Sequence, residues 1–364
     1  MKQSIIIFQG DFRLAGAEVV GVNLAISFYR LGYDVTVVVL KKRGSLLERL
    51  PNGVNVDVLN SRLIFSLFKF RKYLKSSCNK NYLISTIRNL NILVSLSLPH
   101  SRSIKVIFSE QNTYRQFKKI SFKTYILYKL YRVLIPFAYK KADWIIANSR
   151  DTREDIISIS SSFQKNISVI GNPVINDVLK PTNLINNHVE NDNTLKVLSI
   201  GRLHPQKDYK LALQCIYQLK SSFPKLKYTI IGQGLLRDYL IKYGESLGLS
   251  YETDWEIISP VSNPSIFFNS CDIFFLSSAW EGFGNVLVEA MYFGLTPVVA
   301  SCPGGPRDII GSQYGYFSPD RDIATVCKYL KKALECPISK QLLKMRALEY
   351  HSDVIAKKYL KHTW

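Results

Sequence analysis

A chain of 364 residues with 47% hydrophobic side chains, and with only 19 Gly and 14 Pro, excludes a disordered or collagen-like protein and has apolar content for two cores. Its length exceeds the roughly 100–200 residues of one domain, so two domains are expected. The net charge of +20 is uneven: residues 1–180 carry 28 Lys and Arg against 11 Asp and Glu, while residues 181–364 carry 20 against 17, which places the basic excess in the first half.

Ser4–Gln9 is an isoleucine-rich run and predicts a strand. A loop containing Ala15-Gly16-Ala17-Glu18 follows, then an amphipathic pattern through Leu31 that Gly32 stops, then a second strand over Tyr33–Leu40. This βαβ order implies a parallel sheet. The opening apolar run is too short for a secretory signal, and no stretch of about 18 apolar residues occurs, so a cytosolic chain that spans nothing is expected. Further strands are predicted at Tyr82–Thr86, Ile104–Ser109 and Trp144–Asn148. Between residues 62 and 141 stand 17 basic residues and a single acid, Glu110, among Phe, Tyr, Leu and Ile. Arg115–Lys141 sets cations and large apolar residues at helical spacing, interrupted by Pro136, and Ser61–Ser77 repeats the theme. That composition suits a helix lying in an anionic membrane interface, the alternative being a core helix with a solvated cationic back. Such a basic surface attracts phosphates of lipid or nucleic acid.

After Gly171-Asn172-Pro173 the polar stretch 176–194, with Pro181 and Asn186-Asn187, reads as a linker. A second βα series then begins: strand Lys196–Ile200, helix Tyr209–Ser221, strand Lys227–Ile231, helix Leu235–Tyr243, strand Ile273–Leu276, helix Asn285–Phe293, strand Thr296–Ala300. The expected architecture is α/β, with two doubly wound Rossmann-like domains at 1–175 and 195–345 facing a cleft, and a C-terminal helix in 346–364 packing back on the first domain. Ligands are expected at the C-terminal ends of the strands. Cys78, Cys215, Cys271, Cys302, Cys327 and Cys336 form no CxxC pair and no His-spaced cluster, and read as buried thiols in a reducing compartment.

Several short segments could carry chemistry. Gly201-Arg202-Leu203 follows a strand, and Lys207 lies in a loop that opens a helix. Two such cations beside free helix amides can clamp a diphosphate without a metal, or can be merely solvated. Gly232-Gln233-Gly234 allows close backbone approach, but Arg237 occupies the third glycine position of the dinucleotide fingerprint. In Ser277–Glu289, SSAWEGFGNVLVE, Glu281 and Glu289 would stand about 12 Å apart if the interval were wholly helical. That exceeds the roughly 5–9.5 Å of a glycoside hydrolase pair, so paired-carboxylate hydrolysis is disfavoured and binding of hydroxyls along an extended ligand is favoured. Amides at Gly282-Phe283-Gly284-Asn285 add donors between the two acids, and Cys302-Pro303-Gly304-Gly305-Pro306 supplies another amide-rich turn.

These segments together resemble the retaining family 4 glycosyltransferases of the GT-B fold: GAE at 16–18, IIANS at 145–149, GNPV at 171–174, SIGRLHPQKDY at 199–209, IIGQG at 230–234 and the E-x7-E of EGFGNVLVE. The resemblance implies that Arg202 and Lys207 hold the donor diphosphate and stabilise leaving-group charge, that Glu281 binds the donor sugar and that Glu289 binds the ribose hydroxyls. It also implies that Phe283, Gly284 and Asn285 present amides to the sugar or phosphate. Gly16 would let the first-domain loop approach the donor phosphates, and the base would sit near Val261. Gly232 would line the nucleotide site. Many family members place a histidine near Glu110 or Gln111, which this chain lacks, so Glu110 becomes the candidate sugar contact from the first domain. No metal or other cofactor is expected, since cations and amides can stabilise the departing diphosphate. The donor expected is UDP-linked, with SCPGGPRDII and FSEQNTY similar to members using N-acetylhexosamines or galactose. The acceptor expected is a lipid-linked glycan at an anionic membrane surface. A nucleic-acid-binding protein would leave the second-half motifs unexplained, whereas an epimerase, a glycogen-synthase-like enzyme or an inactive subunit would share the fold.

Overall fold

The structure, a computed structural model, describes residues 3–61, 65–76, 81–99, 102–113, 122–177, 179, 194–261 and 263–361, without the side chains of 122–124. It divides into two compact units: unit 1 comprises Met1–Val174 and Tyr350–Trp364, and unit 2 comprises Ile175–Glu349.

In unit 1 the chain runs β1 (Ser4–Gln9), α1 (Gly16–Arg30), β2 (Asp34–Val39), β3 (Asn55–Val58), α2 (Ser66–Ser76), β4 (Tyr82–Ser85), α3 (Arg88–Ser97), β5 (Lys105–Glu110), α4 (Phe122–Tyr139), β6 (Trp144–Ala147), α5 (Arg150–Ile159) and β7 (Ile167–Val169). Its described strands form a parallel sheet in the order β3-β2-β1-β4-β5-β6-β7. In register, Ile5 faces Val35 on one side and Tyr82 on the other. Every residue of β1 is buried, as expected for a central parallel strand covered on both faces. One face of the sheet packs Phe8, Leu83, Phe108 and Ile145 against Phe70 of α2, Val94 of α3, and Ile135 and Tyr139 of α4. Each such side chain contributes roughly 1.5–3 kcal/mol on burial. At the start of α5, Ser149 Oγ accepts a hydrogen bond from the Thr152 amide at 3.1 Å, satisfying an otherwise orphaned donor.

Unit 2 runs β8 (Lys196–Ile200), α6 (Tyr209–Lys220), β9 (Lys227–Ile231), α7 (Arg237–Ser246), β10 (Trp255–Ile258), α8 (Ser265–Ser270), β11 (Ile273–Leu276), α9 (Asn285–Tyr292), β12 (Thr296–Val299), α10 (Pro306–Ile310), β13 (Tyr316–Phe317), α11 (Ile323–Glu335) and α12 (Lys340–Leu348). The sheet is again parallel, ordered β10-β9-β8-β11-β12-β13. Its core packs Val197, Ile230, Phe275 and Val298 against Leu213 and Ile216 of α6 and Val326 and Leu330 of α11.

The strands absent from the sequence reading are mainly edge pieces. β3 is largely exposed and β13 has two residues, so neither shows the continuous apolar run of an interior strand. The helical tail expected at 346–364 is interrupted. Helix α12 ends inside unit 2, the Tyr350 carbonyl accepts from the Val174 amide at 3.0 Å, and a new helix α13 (Ser352–Lys361) packs on α1 in unit 1. The expected linker at 176–194 lies almost wholly outside the described residues. Cys215, Cys302 and Cys327 are buried free thiols, but Cys336 is exposed, contrary to the expectation of uniform burial; Cys78 lies outside the described residues. Among the described residues no helix is long and apolar enough to cross a membrane.

Candidate active site

The strand order of unit 2 reverses direction at β8, whose neighbours are β9 and β11. The crevice beyond the carboxyl ends of β8 and β11 is therefore a topological switch point, where doubly wound sheets bind ligands. Two side chains 74 residues apart meet there: Lys207 Nζ lies 2.5 Å from Glu281 Oε1. Ser278 Oγ donates to the same carboxylate oxygen at 2.6 Å. Glu281 is 8% exposed, and its Oε2 takes no hydrogen bond from a described residue. A buried, oriented carboxylate with one free oxygen can accept from a ligand hydroxyl, while the ammonium beside it can pair with phosphate. Arg202 is exposed, and no described residue binds its guanidinium.

Local structure fixes these positions. Residues Pro205–Lys207 form a single 3-10 turn, and Asp208, in the left-handed region at φ 45°, caps α6. The Ala279 amide donates to Gln206 O at 2.8 Å, Gln206 Nε2 donates to Trp280 O at 2.9 Å, and Ser277 Oγ donates to Lys207 O at 2.7 Å. The loop bearing the lysine is thus laced to the loop bearing the glutamate. Arg321, which no sequence motif signalled, extends this lacing. Its guanidinium donates to Ser277 O at 2.7 Å, Ser278 O at 2.8 Å and Ser301 O at 3.0 Å, and pairs with Asp208 Oδ2 at 2.6 Å. Tyr209 is buried beneath the site and donates to Gly201 O at 3.2 Å. Burial above all, then Tyr228 and Glu281, pushes its phenol well above the ordinary value, so it acts as a neutral donor.

The remaining predicted residues take distinct positions. Gly304, at φ 110°, brings its backbone against the Glu281 carbonyl; a Cβ there would lie 1.9 Å from that oxygen. At Gly232 a Cβ would lie 2.0 Å from Gly201 O, so this glycine serves strand-end packing. Phe283 is buried, Gly284 adopts φ 98°, and Asn285 starts α9 with Glu289 half-buried one turn on. Because helix begins only at Asn285, the spacing expected from a continuous helix does not describe the Glu281–Glu289 interval. Val261 is 38% exposed in the loop after β10.

In unit 1, Gly16 opens α1 with free space where a Cβ would stand. Glu110 departs from its expected role as a sugar contact. It is 1% exposed; Arg88 Nη2 pairs with Oε1 at 3.0 Å, and Tyr139 OH donates to Oε2 at 2.6 Å. An engaged, enclosed carboxylate of this kind ties α3 and α4 to the end of β5.

Residues 14–177 match the family described as Glycosyltransferase Family 4, and residues 182–349 match Glycosyl transferases group 1. The chain is 28% identical over 239 residues to the Campylobacter jejuni N-acetylgalactosamine-N,N'-diacetylbacillosaminyl-diphospho-undecaprenol 4-alpha-N-acetylgalactosaminyltransferase, an alignment covering 64% of this chain and 62% of that protein. It is 25% identical to the Erwinia amylovora amylovoran biosynthesis glycosyltransferase AmsD, over 85% of this chain and 84% of that one. The Anabaena protein HepE, solved in complex with UDP and glucose, has the same fold, with a TM-score of 0.77, 18% identity and 99% of both chains covered.

Proposed function

Because the chain belongs to the family 4 glycosyltransferases and is a glycosyltransferase of glycan biosynthesis with the GT-B fold, we propose that it transfers a sugar from a UDP-sugar to a lipid-linked glycan, with retention of anomeric configuration. The observation that carries this reading is the meeting of Lys207 and Glu281 at the switch point of the unit 2 sheet. When the bond between the sugar C1 and the β-phosphate oxygen breaks, negative charge grows on the departing diphosphate. In this reading Lys207 and the exposed Arg202 stabilise it, and fixed cations do so without reorganisation at the moment of reaction. Glu281 orients the sugar through its hydroxyls, with Glu289 on the ribose and the turn at Phe283, Gly284 and Asn285 supplying amides. Retention follows if the acceptor hydroxyl attacks from the face of the leaving group and passes its proton to a diphosphate oxygen. No step in this scheme requires a metal.

The acceptor assignment draws on the lipid diphosphate in the name of the Campylobacter relative, which also favours an N-acetylhexosamine over the galactose alternative as donor sugar. Work at an anionic membrane surface is supported by the exposed apolar and cationic face of α4.

Calorimetry of UDP and GDP in EDTA-containing buffer tests the core of this reading. The wild-type chain is expected to prefer UDP, and Lys207→Ala to weaken binding by about tenfold or more, as loss of a charge-assisted phosphate contact requires. Glu281→Gln should abolish transfer to a lipid-linked acceptor with the thermal midpoint retained. Full activity in that variant would remove Glu281 from the site.

A further inference from the structure

We propose that Arg13 and Arg43, oriented together by the buried carboxylate of Asp11 at the C-terminal edge of the unit 1 sheet, form a binding site for a phosphate or diphosphate group of a substrate. Arg13 Nε lies 2.7 Å and Arg43 Nε 2.9 Å from the same oxygen, Asp11 Oδ2. The Asp11 side chain is 4% exposed, whereas those of Arg13 and Arg43 are 63% and 54% exposed. Each arginine therefore spends its inner nitrogen on the anchor and turns its two outer nitrogens toward solvent. Among the described residues no other hydrogen bond or ion pair engages either guanidinium. Two planar forks held by one anchor match the several oxygens of a phosphate group, and they lose little freedom on binding it.

The backbone beneath them is fixed as well. The Phe12 amide donates to Arg43 O at 2.8 Å, the Leu46 amide to Phe12 O at 3.0 Å, and the Arg13 amide to Asp11 Oδ1 at 3.1 Å. Gln9 Nε2, at the end of β1, holds Asp11 O at 2.8 Å. These loops follow β1 and β2, and β1 is the strand at which the sheet order of unit 1 reverses. Lys41 and Lys42 are exposed in the same loop as Arg43 and add positive charge. Three residues beyond Arg13, helix α1 begins at Gly16, where a Cβ would meet nothing, so an anion can approach the helix end closely. Glu18, the acid of that helix start, has its carboxyl raised above the ordinary value by burial, which reduces repulsion toward an anion.

Assigning the anion to the donor or to a lipid diphosphate acceptor rests on the transferase reading, whereas the anion site itself does not. The test uses the full chain, with geranyl diphosphate and UDP as calorimetric probes, and the variants Arg13→Gln and Arg43→Gln. Each variant leaves Asp11 one arginine partner, so the fold should hold, and thermal melting verifies this. Weakening of geranyl diphosphate by about tenfold with UDP unchanged supports an acceptor-side site, and weakening of UDP supports a donor-side one. Unchanged binding of both probes in both folded variants overturns the proposal, as does a wild-type chain that binds neither. Absence of UDP binding alone sinks the UDP-sugar donor reading, and variant-sensitive geranyl diphosphate binding would still uphold the anion site.

Discussion

Glu18 shows how a single residue can be held against its ordinary ionisation. It is 8% exposed on the first turn of α1 and makes no ion pair with a described residue. Burial raises its carboxyl above the ordinary value of 4.5; a backbone hydrogen bond and, less, Arg13 only partly offset this, and Asp11 adds repulsion. A folded state that binds the proton more tightly than the unfolded chain gains stability below that ordinary value and loses it as pH rises through the elevated one. Glu18→Gln should therefore melt at the same temperature as wild type near pH 4 and at a higher temperature than wild type near pH 7.5. An equal midpoint at both pH values would mean that the carboxylate is well solvated. The sequence marked Glu18 only as part of a short motif. It gave no sign of Arg321 either, because a lone arginine after a Ser-Pro-Asp turn has no pattern, and its four partners come from three distant segments.

Helix α4 carries two apolar faces. Tyr131, Ile135, Ala138 and Tyr139 pack into the unit 1 core, while Ile126, Leu130, Val133 and Phe137 line the other side at 53%, 49%, 61% and 71% exposure. Spacings of four, three and four residues keep those four side chains in one stripe, with Lys129 and Lys140 beside it. A surface helix ordinarily turns polar residues outward, so this stripe, with its neighbouring cations, is the face that the proposed docking on an anionic lipid surface would use. Val133→Glu and Phe137→Glu should each cut co-sedimentation with phosphatidylglycerol vesicles several-fold without shifting the thermal midpoint, since both side chains are already exposed. Retained binding would point to another docking face. The sequence announced the helix and its basic character, but helical spacing cannot say which apolar residues face the core, because both faces read as hydrophobic.

At the scale of the whole molecule, the chain leaves unit 1 at Val174, builds unit 2, and returns at Tyr350 to complete unit 1 with α13. Tyr359 is 1% exposed there, and its hydroxyl meets Ser109 Oγ at 2.9 Å. Tyr359→Phe should lower stability by about 1 kcal/mol, the net value of one such bond, and Ser109 keeps a partner in Gln111. Denaturant unfolding would measure the change, and a loss near zero would mean that water substitutes for the hydroxyl. The sequence by itself determined the two βα series, because interior parallel strands must be apolar on both faces and so appear as unbroken runs such as Ser4–Gln9 and Ile273–Leu276. It also determined the motif residues at the switch point of unit 2, since loops that follow strands collect at one edge of a parallel sheet. Only the tertiary structure decided that Lys207 lies on Glu281, that Glu110 is consumed by Arg88 and Tyr139, and that Asp11 gathers two arginines. Each of those outcomes depends on which distant loops the sheet order makes neighbours, and a linear spacing carries no record of that.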